Sequence, residues 1–146
     1  MLNDQVAAAS VIINASVERV WNGLTNPELI KQYLFGTETV TNWNTGSSIV
    51  FQGEYEGKMY KDHGTIISNE PYKQLKYSYW SSFTGLADAP ENYSTVTYTL
   101  EKISDSQTKF TWSQRGFADE KSFNDTDGRM TVFVGTIKDT IEKSAL

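Results

Sequence analysis

The chain has no cysteine and a single histidine, His63. Without thiols there is no disulfide, no thiolate metal site and no cysteine nucleophile, and such a composition fits a reducing cytoplasm. One histidine leaves no HxxxH or HxH pair, so the usual ligands of a metal centre do not converge. No metal and no cofactor is expected. Basic charge is also in deficit: 13 Lys and Arg stand against 18 Asp and Glu, for a formal charge of -5. A phosphate backbone or an anionic bilayer surface calls for the opposite balance, so nucleic acid and membrane surfaces are disfavoured as partners. No apolar run approaches the ~20 residues of a membrane span. The opening MLNDQVAAAS lacks the basic and long apolar regions of a signal peptide. Gly57, Gly64 and Gly85 are scattered and form no phosphate-cradling loop. No GxSxG elbow supports a serine triad.

What is abundant is aromatic: 4 Trp, 8 Tyr and 7 Phe in 146 residues. That length suits a single domain, here taken as 1–146, which can bury roughly 70% of its unfolded surface. Val6 to Ile13 reads as a strand of small and β-branched residues. Ser16 is a good N-cap for a helix carrying Val17, Val20, Trp21 and Leu24 on one face. Asn26-Pro27 stops that helix and Pro27 opens a second, with Leu29, Ile30, Tyr33 and Leu34 apolar and Gly36 at its end.

From residue 37 the apolar period becomes two. Strands are expected over Thr39–Trp43, through Ile49, Phe51, Gly53 and Tyr55, over Met59–Ser68, through Leu75, Tyr77 and Tyr79, through Val96, Tyr98 and Leu100, and through Phe110, Trp112 and Gln114. Glu56-Gly57-Lys58 reads as a tight turn, and Ser81 to Asn92 as a loop whose Phe83 and Leu86 either form a lid or cap the sheet's open end. Met130, Val134, Ile137 and Ile141, with Phe133 beside them, return to helical spacing, and Asp125 or Asp127 would cap that last helix. The order is strand, two short helices, six strands, long helix. Antiparallel strands with helices segregated to one side make an α+β architecture.

One helix cannot cover seven flat strands. A sheet of that size twists and curls, and a curled sheet gripping one long helix encloses space. The inferred inward residues are Phe51, Tyr55, Tyr77, Tyr79, Tyr98, Phe110 and Trp112, with Tyr60 and Ile66 sharing the inward parity of their strand. Tyrosine and tryptophan carry polar tips that need partners when buried. The same residues suit either a mostly apolar small-molecule pocket or an ordinary core whose hydroxyls reach water at a sheet end. Met130, Phe133, Val134 and Ile137 would face them from the helix.

Few charged groups look chemical. His63 shares its face with Lys61 and Thr65 and is expected at the surface. Glu54 and Glu56 lie opposite the apolar face and read as solvated. Asp62 shares parity with Tyr60, Gly64 and Ile66, so it points inward and needs a partner, a ligand or a route to water.

The runs INASVERVWNGLTNPELIKQYLF, GTIISNEPYKQLKYSYW, VTYTLEK, TKFTWSQRGF and IKDTIEK, in this order, cover most of the chain. In them the sequence resembles the START-like, or birch-pollen-allergen-like (SRPBCC), superfamily. Within it the chain is similar to the bacterial group named after the activator of the heat-shock-protein ATPase. The resemblance implies a helix-grip fold: a curved seven-stranded antiparallel sheet around a long C-terminal helix, with two short helices after the first strand. It also implies a cavity for a hydrophobic or amphipathic small molecule, and a link to stress response. Relatives often carry a Gly-Trp pair where this chain has Arg129-Met130, and a flexible Met enlarges or softens that end of a cavity.

Three functions follow as expectations. The first is binding of a hydrophobic small molecule. The second is an enzyme of cyclase or hydrolase type in the same cavity, with Arg115 and Arg129 as further polar candidates. The third, by analogy alone, is a co-chaperone-like modulator of a heat-shock ATPase. Ligand and oligomeric state are not legible.

Overall fold

The computed structural model describes residues 2–144. Strand β1 (Leu2–Ile13) is followed by helices α1 (Val17–Thr25) and α2 (Pro27–Tyr33), and then by β2 (Glu38–Val40), β3 (Ser48–Tyr55), β4 (Lys58–Glu70) and β5 (Gln74–Tyr79). Two 3₁₀ turns, Ser82–Thr84 and Pro90–Asn92, lead into β6 (Ser94–Ser104), β7 (Gln107–Phe117) and helix α3 (Glu120–Lys143). The strands form one seven-stranded sheet in the order β1-β7-β6-β5-β4-β3-β2, with every pairing antiparallel. This is the α+β helix-grip architecture.

Local chemistry accounts for the boundaries. The Ser16 hydroxyl accepts from the Arg19 amide at 3.2 Å and starts α1. Asn26 closes α1 and caps α2, its side chain accepting from the Glu28 amide at 3.0 Å, with Pro27 in the first turn. Glu56 and Gly57 both have positive φ, 49° and 79°. Two such residues make the tight turn whose twist matches a β-hairpin, and they join β3 to β4.

Three expected boundaries differ. β1 begins at Leu2, not Val6, because Leu2 pairs with Phe117 across a register shift. β2 is three residues long, not five. The Thr41 hydroxyl and the Asn42 side chain accept from the backbone amides of Trp43 and Asn44, and Trp43 turns left-handed at φ 68°. Such local bonds compete with a strand ladder. Helix α3 starts at Glu120, not near Asp125 or Asp127. Its cap is Asp119, which accepts from the Ser122 amide at 2.8 Å. That bond holds the Asp119 carboxyl below its usual range. None of residues 120–129 is buried, so the first three turns carry no apolar stripe to read.

The core and the void adjoin along α3, where Phe133 lines the void and Val134 the core. Val134, Ile137 and Ile141 pack with Ile13, Val20, Leu24 and Phe110 into solid contact. Met130 belongs to a separate small cluster with Ala7 and Phe117. Ahead of it Phe123 still meets the sheet, its ring 5.3 Å from that of Phe117.

Candidate functional site

The inner wall is built by register. Phe51 on β3 stands directly opposite Asp62 on β4. Tyr77 on β5 faces Val96 on β6, Tyr98 on β6 faces Trp112 on β7, and Gln114 faces Val96 from the other side. Alternation places these side chains on the concave face. With Tyr60, Tyr79, Leu34 and Thr37 from neighbouring elements and Phe133 from α3, they line a half-open chamber of about 240 Å³. Drug-sized ligands take roughly 300–1,000 Å³, so this chamber alone suits something small.

It does not stand alone. A groove of about 470 Å³ runs beside it, lined by Phe35, Met130 and Val132 among others, and it shares Trp112 and Phe133 with the chamber. Those two rings stack at 5.8 Å and 29° and form the partition. On another side a hollow of about 300 Å³ lies under Phe83 and Leu86 and shares Tyr79 and Gln114.

The polar tips are paired. Tyr77 and Tyr98 hydroxyls lie 3.0 Å apart. The Tyr79 hydroxyl donates to Asp62 Oδ2 at 2.8 Å. The Thr37 hydroxyl donates to the Leu34 carbonyl at 2.9 Å, so in the short Tyr60–Thr37 contact the Tyr60 hydroxyl is the donor. Gln114 Nε2 donates to Ser94 Oγ at 3.2 Å. Asp62 is 5% exposed, and its second oxygen, Oδ1, is buried with no hydrogen-bond partner.

Burial, and then the neighbouring Tyr98, push the Tyr77 phenol well up. Burial followed by the Asp62 charge does the same for Tyr79. Burial raises Tyr98 too, while hydrogen bonds from Tyr77 and the Trp112 indole pull part of that back. These phenols therefore keep their protons at neutral pH and act as hydrogen-bonding groups, not as bases.

Of the residues expected to line a cavity, the fold gathers Phe51, Tyr60, Tyr77, Tyr79, Tyr98, Trp112 and Phe133 around the chamber. Met130 lines the adjoining groove. Ile66, Phe110, Val134 and Ile137 face the right way but lie in the solid core. Tyr55 lines nothing: it sits beside the hairpin tip, 59% exposed, edge-on to Phe83 at 6.0 Å. Leu34, Thr37, Val96 and Gln114 join the lining unforeseen. Leu34 and Thr37 flank the turn after α2 and carry no period; Val96 and Gln114 lie on strands whose inward parity could have named them.

His63 lies on the opposite face of β4, as its parity implies, and is half-buried there. Its Nε2 is 3.0 Å from Asp88 Oδ2, and the Tyr93 hydroxyl is 3.3 Å from its Nδ1. Its ring packs 5.4 Å from that of Trp80. Arg115 is exposed, and Arg129 lines only the two outer hollows. Among the described residues no cluster of three His, Cys, Asp or Glu side chains could hold a metal. No helix of those residues is long and apolar enough to cross a membrane.

Comparison with known proteins bears on the same fold. Among curated proteins none matches this chain. The solution structure of ChR145 from Cytophaga hutchinsonii is 37% identical, with a TM-score of 0.82 over 97% of both chains. At 16% identity, the Aha1 dimer from Colwellia psychrerythraea gives a TM-score of 0.72 over 97% of this chain and 99% of that one. An HSP90 activator from Plasmodium falciparum, 13% identical, gives 0.70 over 91% and 93%. At such low identity the last two show shared fold alone. The family model for "Activator of Hsp90 ATPase homolog 1-like protein" matches residues 14–142. With nearly the whole chain spanned, from the residue before Ala15 to the last turn of α3, this protein belongs to the family of activator of Hsp90 ATPase homolog 1-like proteins.

Proposed function

We propose that this protein binds a small amphipathic molecule in the chamber between its curved sheet and α3. The observation that carries the reading is the chamber itself. It is about 240 Å³ of space walled mainly by aromatic rings, with a few hydrogen-bonded polar groups among them. Mostly apolar walls with sparse, fixed polar contacts are what small-molecule sites look like. A dry core would close over such a space, because each unfilled volume forfeits packing energy.

Modulation of a heat-shock ATPase is the second reading. It is favoured by the family and by the Plasmodium falciparum relative, which is described as an HSP90 activator. It assigns no role to the chamber.

The test is uptake of an environment-sensitive fluorophore by the purified chain, compared with a Val96→Trp variant. Val96 lines the chamber and is 2% exposed, so the larger ring fills it. We expect saturable probe binding by the natural chain, and its loss in the variant with secondary structure intact. Equal uptake by both proteins would place the probe elsewhere and sink the chamber as a site. A chaperone retained equally by both variants in a pull-down would support the second reading.

A further inference from the structure

We propose that the molecule taken up in the chamber is a protonated amine with an apolar body, its N–H groups donating to Asp62 Oδ1. This inference rests on the chamber-binding reading and narrows it to one chemical class.

Asp62 points into the chamber, and its Oδ1 is the lining's buried acceptor without a partner. Oδ2 is already satisfied by Tyr79. A carboxylate oxygen left bare in an apolar wall is costly, and the penalty is relieved by a donor that arrives with the ligand. The other polar tips do not offer that donor. The Tyr79 proton is spent on Asp62 and the Tyr60 proton on Thr37. One phenol of the Tyr77–Tyr98 pair is spent on the other. The other phenol proton of that pair and the second Gln114 N–H remain, and neither reaches Asp62 Oδ1.

Charge points the same way. The chamber lining contains Asp62 and no Lys, Arg or His. Arg129 lines the outer groove and the outer hollow instead, and its Nε is held by the Asp125 carbonyl. A fatty acid or phosphate head in the chamber would meet a like charge and find no counter-ion. An ammonium would meet a carboxylate and ring faces. Phe51, directly across from Asp62, has its ring 5.7 Å from those of Tyr77 and Tyr79, so aromatic quadrupoles surround the acid. Aromatic faces attract cations and strengthen that attraction where water is excluded. The chain's net charge of -5 also favours encounter with cations.

The experiment compares three ligands of equal chain length, octylamine, octanol and octanoate, as competitors of the fluorophore bound to the natural protein at neutral pH. The amine should displace it about tenfold more effectively than the alcohol, and octanoate least of all. Asp62→Asn keeps an acceptor for Tyr79 but removes the charge. It should bring amine and alcohol to within about twofold of each other. Octanoate equal to or better than the amine, or an unchanged amine-to-alcohol ratio in Asp62→Asn, overturns the proposal. The same holds if none of the three displaces a probe that Val96→Trp excludes. Should the probe itself never enter the chamber, it is the chamber-binding reading that fails. The head-group comparison on the natural chain stands whether or not the variant folds.

Discussion

A methyl group added to Gly64 would overlap the carbonyl oxygen of Ser78, which belongs to backbone and cannot swing aside. Gly64 is paired to Ile49 on β3, and the backbone of β5, the other neighbour of β4 in the sheet, approaches it closely at Ser78. Its missing side chain makes room for that approach. Gly64→Ala should therefore destabilise the protein by about 3 kcal/mol, read as a lower denaturant midpoint with an unchanged slope. Residue-level chemistry was only partly legible beforehand. Parity put Asp62 on the inner face, and it is there. Its partner Tyr79 belongs to a neighbouring strand, and two strands' relative register is not written in either one alone. Tyr55 shows the converse. Alternation correctly sets it on the same face as Phe51, but it stands next to Glu56-Gly57, beyond the reach of α3. Period reports which way a side chain points and says nothing of whether another element lies above it.

At the scale of elements, the end of α3 is held by a residue from α1. The Arg19 guanidinium donates to the carbonyls of Ile141, Glu142 and Ser144 at 2.9, 3.1 and 2.7 Å. Those carbonyls belong to the last helical turn and the residue after it, where intrahelical donors run out and the dipole favours a cation. Nearby, the Lys138 ammonium donates to the Ile12 carbonyl at 2.8 Å. Hydrogen bonds to charged groups contribute roughly 1.5–3 kcal/mol. Arg19→Met, which keeps the stem, should lower stability by about 2 kcal/mol, with the loss of amide protection concentrated in the last turn of α3. Hydrogen exchange checks this: protection lost evenly over the whole chain would contradict it. The clamp was invisible in sequence because it joins residues far apart in the chain and has no local signature. Helices α1 and α2 were legible because Ser16, Asn26 and Pro27 act on their immediate neighbours. The start of α3 was not, since Asp119 caps a stretch with no buried residue from which to count back.

For the molecule as a whole, the buried phenols couple folding to alkaline pH. Tyr33 and Tyr77 are raised well above the ordinary phenol value, chiefly by burial, and Tyr79 and Tyr98 are raised by burial as well. A folded-state value above the unfolded one means that the contribution to stability is intact below the unfolded value near 10. Above it the unfolded chain loses protons that the folded chain retains, so stability falls as pH rises. Each such tyrosine steepens the fall by about 1.4 kcal/mol per pH unit. Stability should be flat in these groups from neutrality to about pH 10 and drop sharply beyond. Phenolate absorbance from the buried set should appear together with unfolding. Phenolate appearing well before loss of secondary structure would show that water reaches these hydroxyls in the native state. The overall architecture was legible because a run of period-two segments closed by one period-3.6 segment admits few arrangements. The size of the space between sheet and helix was not, because it depends on how rings from several strands meet Phe133 across the sheet, which no single strand's period records.

The stacked pair Trp112 and Phe133 belongs to two rooms at once. A door made of side chains would swing on rotamer torsions, which cost on the order of 1 kcal/mol off their minima, and would open without unzipping a single rung of the sheet. On the binding function proposed above, a guest too long for the inner room would trail its tail into the outer one while β7 and α3 stay where they are.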